Sequence, residues 1–313
     1  MSDSARLGER IRRATGATSV ELDVRLQSLW SGYGELWRVT LEQGGTSTAA
    51  IAKDVRPGRD DGSRSHRRKL RSYAVEQAFY ARYAPRCSES CRVPRALALR
   101  AEHGGFLSVL EDLDAAGFAG RSRRPSPAEI EAGLAWLASF HATFLDARAD
   151  DLWKVGTYWH LATRPEELAA MRHGELRRAA GAIDARLSSA RFKTLVHGDA
   201  KLENACFAKT GGVAFVDFQY VGGGVGVKDV AYFLSCCFSP SECATLAPSY
   251  LDLYFEGLHS ALGNEGAELE REWRALFPLA WVDLYRFLQG WAPGQYDPDP
   301  YSDALVDQVL ASL

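Results

Sequence analysis

Between Val24 and Val55 apolar and polar residues alternate with the two-residue period of β-strands. Val24-Arg25-Leu26 is a short run of this kind, and Leu36-Trp37-Arg38-Val39-Thr40-Leu41 is a longer one, rich in aromatic and β-branched residues that suit a pleated surface. Ala49-Ala50-Ile51-Ala52-Lys53-Asp54-Val55 reads as a third strand. The glycine-bearing segments Ser31-Gly32-Tyr33-Gly34 and Gly44-Gly45 supply the turns between them. Residues 56 to 66 are rich in Pro, Gly, Asp and Ser and predict a loop. The period then changes. Leu70, Tyr73, Ala74, Ala78 and Tyr80 predict a helix over Arg67 to Tyr83. Two more strands follow, Ala96 to Ala101 and Phe106 to Leu110, with a turn at His103-Gly104-Gly105.

After Leu113 the pattern is helical. Ser126-Pro127-Ala128-Glu129 combines an N-cap serine, a proline at the first helical position and a glutamate two residues later. The helix it starts carries Ile130, Leu134, Leu137, Phe140 and His141 on one face. A second helix is predicted over Pro165 to Leu187. Two short strands, Ala205 to Ala208 and Val213 to Val216, are joined at Gly211-Gly212, and the chain from Val225 on is mostly helix broken by proline and glycine. No internal repeat is present. The predicted class is α+β: a small β-rich lobe with one helix over residues 1–112, then a larger helical lobe with a small β insert over residues 113–313. The junction falls at Glu111-Asp112-Leu113.

Composition narrows the function classes. The 313 residues carry 37 Lys and Arg against 40 Asp and Glu, a net charge of −3. That balance gives no reason to expect nucleic acid or an acidic membrane surface as a partner. The local exception is the basic run from Arg64 to Arg71, which suits either a solvated helix face or contact with a phosphate-bearing ligand or acidic partner. Met1 to Thr18 lacks the apolar core of a signal peptide, and no run of 18 apolar residues occurs. Six cysteines are too sparse for a disulfide scaffold. Cys87 and Cys91 are spaced like half a metal site, but no second pair completes it. Reduced, mostly buried thiols and a cytoplasmic location are expected.

The candidate chemistry begins at His197-Gly198-Asp199-Ala200-Lys201-Leu202-Glu203-Asn204. Phosphoryl transfer needs a group that orients the attacking hydroxyl and accepts its proton, together with metal ligands and positive charge on the transferring group. Asp199, Lys201 and Asn204 can supply these from one tight loop: base, phosphate contact and neutral oxygen ligand for Mg²⁺. Taken alone, the hexapeptide is equally a polar turn. Asp217, thirteen residues beyond Asn204 in Phe215-Val216-Asp217-Phe218-Gln219, sharpens it. An aspartate leaving an apolar strand is costly to bury without a cation or donors, and a strand–turn–strand would bring it beside Asn204. Lys53, on a strand, and Glu76, in the next helix, suit an ion pair held against nucleotide phosphates. Ser31, Gly32 and Gly34 suit a phosphate-covering turn, though a hairpin turn explains them as well, and the segment lacks the Walker form. Asp229 is expected to brace the loop through backbone N–H groups, and His197 to hold it.

In this order the residues resemble the aminoglycoside phosphotransferase and choline kinase superfamily, which has a two-lobed protein-kinase-like fold. The motifs span positions 31 to 229. The match is closer to the ecdysteroid-kinase-like (CHK) branch at Leu26 to Gly34, Leu110-Glu111-Asp112-Leu113-Asp114, Phe140-His141-Ala142-Thr143-Phe144, Gly156-Thr157-Tyr158-Trp159-His160, and Asp217 to Gly224. The resemblance implies ATP or GTP with Mg²⁺, Asp199 as catalytic base, and Asn204 and Asp217 on the metal. It also implies Lys53 on phosphate and the Glu111 to Leu113 backbone on the purine. Lys201 departs from the histidine common in the antibiotic kinases, and Gln219 from the glycine of protein kinases. The acceptor is expected to be a hydroxylated small molecule such as a sterol-like compound, an amino alcohol, an aminoglycoside or a nucleoside. Its candidate contacts are Tyr158, Trp159, His160, Asp283 and Arg286, all of which also read as helix-packing residues. Two other readings remain. A protein kinase would need an activation segment, but Asp217 and Asp229 are close together and Gly222-Gly223-Gly224 fills part of the space. A nucleotide-binding pseudokinase would ordinarily lack one of Lys53, Asp199, Asn204 or Asp217.

Overall fold

The computed structural model describes residues 3–102, 104–263, 266–292 and 299–313. His103, part of the turn expected at His103-Gly104-Gly105, lies outside the described residues. The chain divides into two compact units, 1–86 with 93–120, and 87–92 with 121–313.

The first unit is built on a five-stranded antiparallel sheet, in the order β1 (Ser19–Ser28), β2 (Gly34–Gln43), β3 (Thr46–Val55), β5 (Gly105–Glu111), β4 (Ala96–Glu102). Alternation sorts β3 onto two faces. Ala50 and Ala52 face α1 (Asp3–Thr15), where Leu7 and Ile11 complete a core with Val39, Leu41, Leu107 and Val109. Asp54 shares that face and accepts from Arg10 Nη1 at 2.6 Å. Lys53 and Val55 point the other way, to α2 (Arg64–Arg82), where Val55 packs with Tyr73, Tyr33 and Leu29. The helix α1 was not anticipated. Its sign in the sequence is small, one large apolar pair four residues apart, because most of its other residues are polar or charged. Helix α2 starts three residues earlier than predicted, since Ser63 caps it by accepting from His66 N at 3.0 Å.

The second unit is mainly helical. Its α3 (Pro127–Thr143) begins at the predicted capping box on Ser126 and Glu129. The helix expected over 165–187 is instead two, α4 (Pro165–Ala170) and α5 (Gly174–Ser188). Met171 leaves α4 in an extended conformation and is buried, and His173 caps α5 by accepting from Leu176 N at 3.1 Å, so the chain turns between them. Four short strands follow: β6 (Thr194–Val196), β7 (Ala205–Phe207), β8 (Val213–Phe215) and β9 (Gly222–Gly224). The β7–β8 hairpin is the predicted insert. The β6–β9 pairing was not foreseen, because three glycines carry no strand signal. They are there for crowding: a Cβ on Gly222 would stand 2.2 Å from the Trp153 carbonyl oxygen. The helices α6 (Val227–Cys237), α7 (Pro240–Leu262), α8 (Gly266–Trp291) and α9 (Pro300–Ser312) complete the unit. The expected α+β class, an antiparallel N-terminal sheet followed by a helical part, is what the chain forms. Among the described residues no helix is long and apolar enough to cross a membrane.

Candidate active site

The segment from His197 to Asn204 runs from β6 to a 3₁₀ turn, Leu202–Asn204, that enters β7. Asp229 fastens its start: its carboxylate accepts from His197 N at 2.6 Å and Gly198 N at 2.9 Å. Asp229 is itself held by His141 Nε2 at 3.1 Å, and His141 Nδ1 meets the Tyr254 hydroxyl at 2.8 Å. All of this is buried. The expected bracing role of Asp229 is thus realised, and the histidine of α3 is its support. His197 is locked as well. The Asp199 N–H donates to its Nδ1 at 3.2 Å, so Nε2 carries the proton and donates to the Val216 carbonyl at 3.0 Å. Burial lowers the pKa of His197 and keeps it neutral. Gly198 has φ +80°, and a Cβ there would lie 2.2 Å from the Tyr220 carbonyl oxygen, so only glycine fits.

Asp199 is almost fully buried. Its Oδ2 receives Asn204 Nδ2 at 3.1 Å and lies 3.2 Å from Lys201 Nζ. Its Oδ1 is buried with no hydrogen-bond partner among the described residues. Burial pushes the carboxyl up to about 7, with the charge of Asp217 adding and Lys201 opposing. Burial works against the charge of Lys201, but Asp199 outweighs it and its pKa is raised. Asn204 Nδ2 also donates to the Asp199 carbonyl at 2.8 Å, which turns the amide oxygen away from Asp199. The hairpin brings Asp217 close as expected, since Val216 N donates to Asn204 O at 3.0 Å. Asp217 sits at φ +67°, a left-handed conformation uncommon for aspartate, and its Oδ1 accepts from Gln219 Nε2 at 2.7 Å. Asn204 and Asp217 therefore offer two hard oxygen donors, the chemistry that Mg²⁺ takes.

In the first unit Lys53 Nζ donates to Glu76 Oε1 at 2.9 Å and Oε2 at 2.7 Å, both residues being buried. Ser31 at φ +58°, Gly32 at +71° and Gly34 at +141° form the turn between β1 and β2. At Glu111 the backbone N–H is engaged by the Arg95 carbonyl at 2.9 Å, and the Leu113 carbonyl accepts from Phe118 N at 2.8 Å. Asp112 and Asp114, which flank Leu113, both receive Arg38, each at 2.6 Å.

The acceptor candidates divide. Tyr158 and His160 are half-buried, and His160 Nε2 stands 3.3 Å from Asp184. Trp159, Asp283 and Arg286 are sealed from solvent. Asp283 accepts from Trp159 Nε1 at 3.0 Å and from Arg286 at 2.7 and 3.0 Å, and lies 3.0 Å from Lys228 Nζ. Burial would raise its pKa, yet the two cations hold it well below the usual carboxylate range. These three residues form an internal ion cluster. Lys228 belongs to it and was missed; its sign was a lysine next to Asp229 at the start of an otherwise largely apolar α6. Tyr232 and Tyr220 were missed too. Both rings meet Tyr158, with centroids 5.7 and 5.9 Å away. Burial and then the nearby Asp199 charge raise the pKa of Tyr232.

A family model described as the phosphotransferase enzyme family matches residues 25–275. No curated protein sequence matches the chain significantly. Among solved structures, the chain is similar to choline kinase LicA from Streptococcus pneumoniae, at 12% identity and a TM-score of 0.50, over 98% of this chain and 100% of that one. It is also similar to aminoglycoside phosphotransferase APH(3'')-Id from Streptomyces rimosus in complex with ADP and streptomycin. There the identity is 16% and the TM-score 0.49, over 90% of this chain and 100% of that one. At 12% identity the likeness to the choline kinase is one of fold.

Proposed function

The chain belongs to the phosphotransferase enzyme family, and from that premise we propose that it is a small-molecule kinase moving the γ-phosphate of ATP or GTP onto a hydroxyl. The observation that carries this is Asp199, whose Oδ1 is buried without a hydrogen-bond partner among the described residues while Lys201 and Asn204 hold Oδ2. A hydroxyl presented to Oδ1 donates its proton there as its oxygen bonds the γ-phosphorus, while the bond from that phosphorus to the bridging β-phosphate oxygen breaks and ADP or GDP leaves. A carboxyl near 7 is basic enough to take that proton. Lys201 offsets the charge that develops on the transferring group.

Asn204 and Asp217 would hold Mg²⁺, and bound there it would neutralise charge on the phosphate chain. Lys53, fixed by Glu76, would contact the α- and β-phosphates, with Ser31, Gly32 and Gly34 closing over them. Backbone atoms between Glu111 and Leu113 would bond the purine. These assignments follow the division into a nucleotide lobe, 1–112, and a catalytic and acceptor lobe, 113–313. The half-buried Tyr158 and Tyr220, with Tyr232 behind them, favour an acceptor of moderate polarity. Trp159, Asp283 and Arg286 would shape that wall from within, and His160 flanks it. The motifs from Leu26 to Gly34 and from Asp217 to Gly224 support placement in the ecdysteroid-kinase-like branch, and the sparse cysteines support a reducing, cytoplasmic setting.

The test is a phosphate-transfer screen of the full chain against sterols, amino alcohols, aminoglycosides and nucleosides, read as an 80 Da mass gain (HPO₃), roughly the mass of the group that kinases transfer. Transfer that needs Mg²⁺ and disappears in Asp199→Asn supports the reading. Nucleotide binding with no transfer to any class would favour a pseudokinase.

A further inference from the structure

His66, Lys69, Tyr73 and Glu76 are spaced three, four and three residues apart, so they form one stripe along α2. Each meets the glycine turn or β3. His66 Nδ1 bonds the Tyr33 hydroxyl at 2.6 Å. Lys69 Nζ donates to Ser31 Oγ at 2.7 Å. Tyr73 stacks on Tyr33, with centroids 6.4 Å apart, and Glu76 holds Lys53. Lys53 Nζ also lies 5.6 Å from the centre of the Tyr73 ring, and Lys69 Nζ 4.8 Å from that of Tyr33. Two ammonium groups therefore flank one stacked tyrosine pair, one at the strand lysine and one at the turn.

We propose that Lys69 is a second contact for the nucleotide's phosphate chain, acting at the glycine turn; this rests on the nucleotide reading above. Its hydrogen bond to Ser31 is made to a neutral hydroxyl. A phosphate oxygen is a stronger acceptor for an ammonium group, because both partners are then charged. Lysine acts on phosphate as a mobile point charge on a flexible stem, and the ammonium of Lys69 already sits at the turn, over the Tyr33 ring and on Ser31. When a phosphate chain binds under the turn, the ammonium shifts from Ser31 Oγ to a phosphate oxygen, and the serine hydroxyl becomes available as a donor. Arg64, Arg67, Arg68 and Arg71 on the same helix raise the local positive potential. This gives the basic run of α2 a purpose that a solvated helix face would not have.

The experiment is fluorescence titration of the full chain with adenosine, ADP and a non-hydrolysable ATP analogue in Mg²⁺, at low and moderate salt. Lys69→Met keeps the apolar stem and removes the charge. It should bind the triphosphate about tenfold more weakly, the usual scale for one charged hydrogen bond, leave adenosine unchanged and reduce the salt dependence. Lys69→Arg should retain most of the affinity. Wild-type affinity for the triphosphate in Lys69→Met overturns the proposal, as does an equal loss for adenosine and triphosphate, which would make Lys69 a brace for the turn. A wild-type chain that binds no nucleotide overturns the nucleotide reading itself, and this proposal with it.

Discussion

Replacing Asp283 with asparagine should be among the most damaging single changes in the second unit. The carboxylate receives Trp159 Nε1, Arg286 Nε and Arg286 Nη2, and pairs with Lys228 at 3.0 Å. Lys228 is 2% exposed and Arg286 fully buried. Asparagine preserves the shape but strands two cations away from water. Breaking one member out of such a buried group costs about 3–5 kcal/mol. In a unit of about 200 residues, each kcal/mol lowers the melting temperature by about 2–4 °C, so the variant should melt roughly 6–20 °C below wild type. Differential scanning calorimetry at neutral pH measures this. The triple variant Asp283→Leu, Lys228→Met, Arg286→Met should recover much of the loss, since no charge is then left stranded. The sign with pH follows from the depressed carboxyl. Its stabilisation is complete above the unfolded value near 4 and fades as pH falls below it, so the gap between wild type and Asp283→Asn should narrow in acid. A variant melting within about 2 °C of wild type at neutral pH would refute the stranded-cation argument.

Asp199→Asn should lower turnover by about 10²–10⁴, the usual contribution of a general base, while nucleotide affinity measured by calorimetry stays near wild type; unchanged turnover would remove Asp199 from that role. Asp217→Ala should abolish the Mg²⁺ dependence of nucleotide affinity, and a Mg²⁺ titration identical to wild type would take it out of the metal site. Gly198→Ala sets a Cβ 2.2 Å from a carbonyl oxygen at φ +80°, which should destabilise by about 1–3 kcal/mol in urea denaturation and displace the adjoining Asp199. His141→Ala should act through Asp229: the carboxylate loses its buried partner at 3.1 Å, and stability should fall by about 1–3 kcal/mol, with Asp229→Asn much less harmful in that background than alone.

The local signals read well because they are local. Two-residue and 3.6-residue periods, the proline and serine at the start of α3, and the glycine turns are each decided by a few neighbouring residues. The order Lys53, Glu76, Asp199, Asn204, Asp217 was legible too, because residue types and their sequence order need no tertiary contact to be read, and it pointed to phosphoryl transfer. What the periodicity could not carry was which face meets which. The amphipathic pair Leu7 and Ile11 became a helix covering the sheet only because Val39, Ala50 and Val109 lacked a partner. Asp283, Trp159 and Arg286 read as either ligand contacts or helix-packing residues; it is packing that holds, since Asp283 and Trp159, 124 residues apart, join at the centre of an ion cluster that includes the overlooked Lys228. Gly222, Gly223 and Gly224 carry no strand signal of their own, but the nearby Trp153 carbonyl leaves room only for a bare strand. Burial and close approach depend on long-range packing, so they are set when distant faces come together. By itself the sequence determined the strands, the helices and the chemical groups on offer. The tertiary structure decided which groups are sealed in the core, which brace the loop, and that Asp199 keeps one buried oxygen without a hydrogen-bond partner among the described residues.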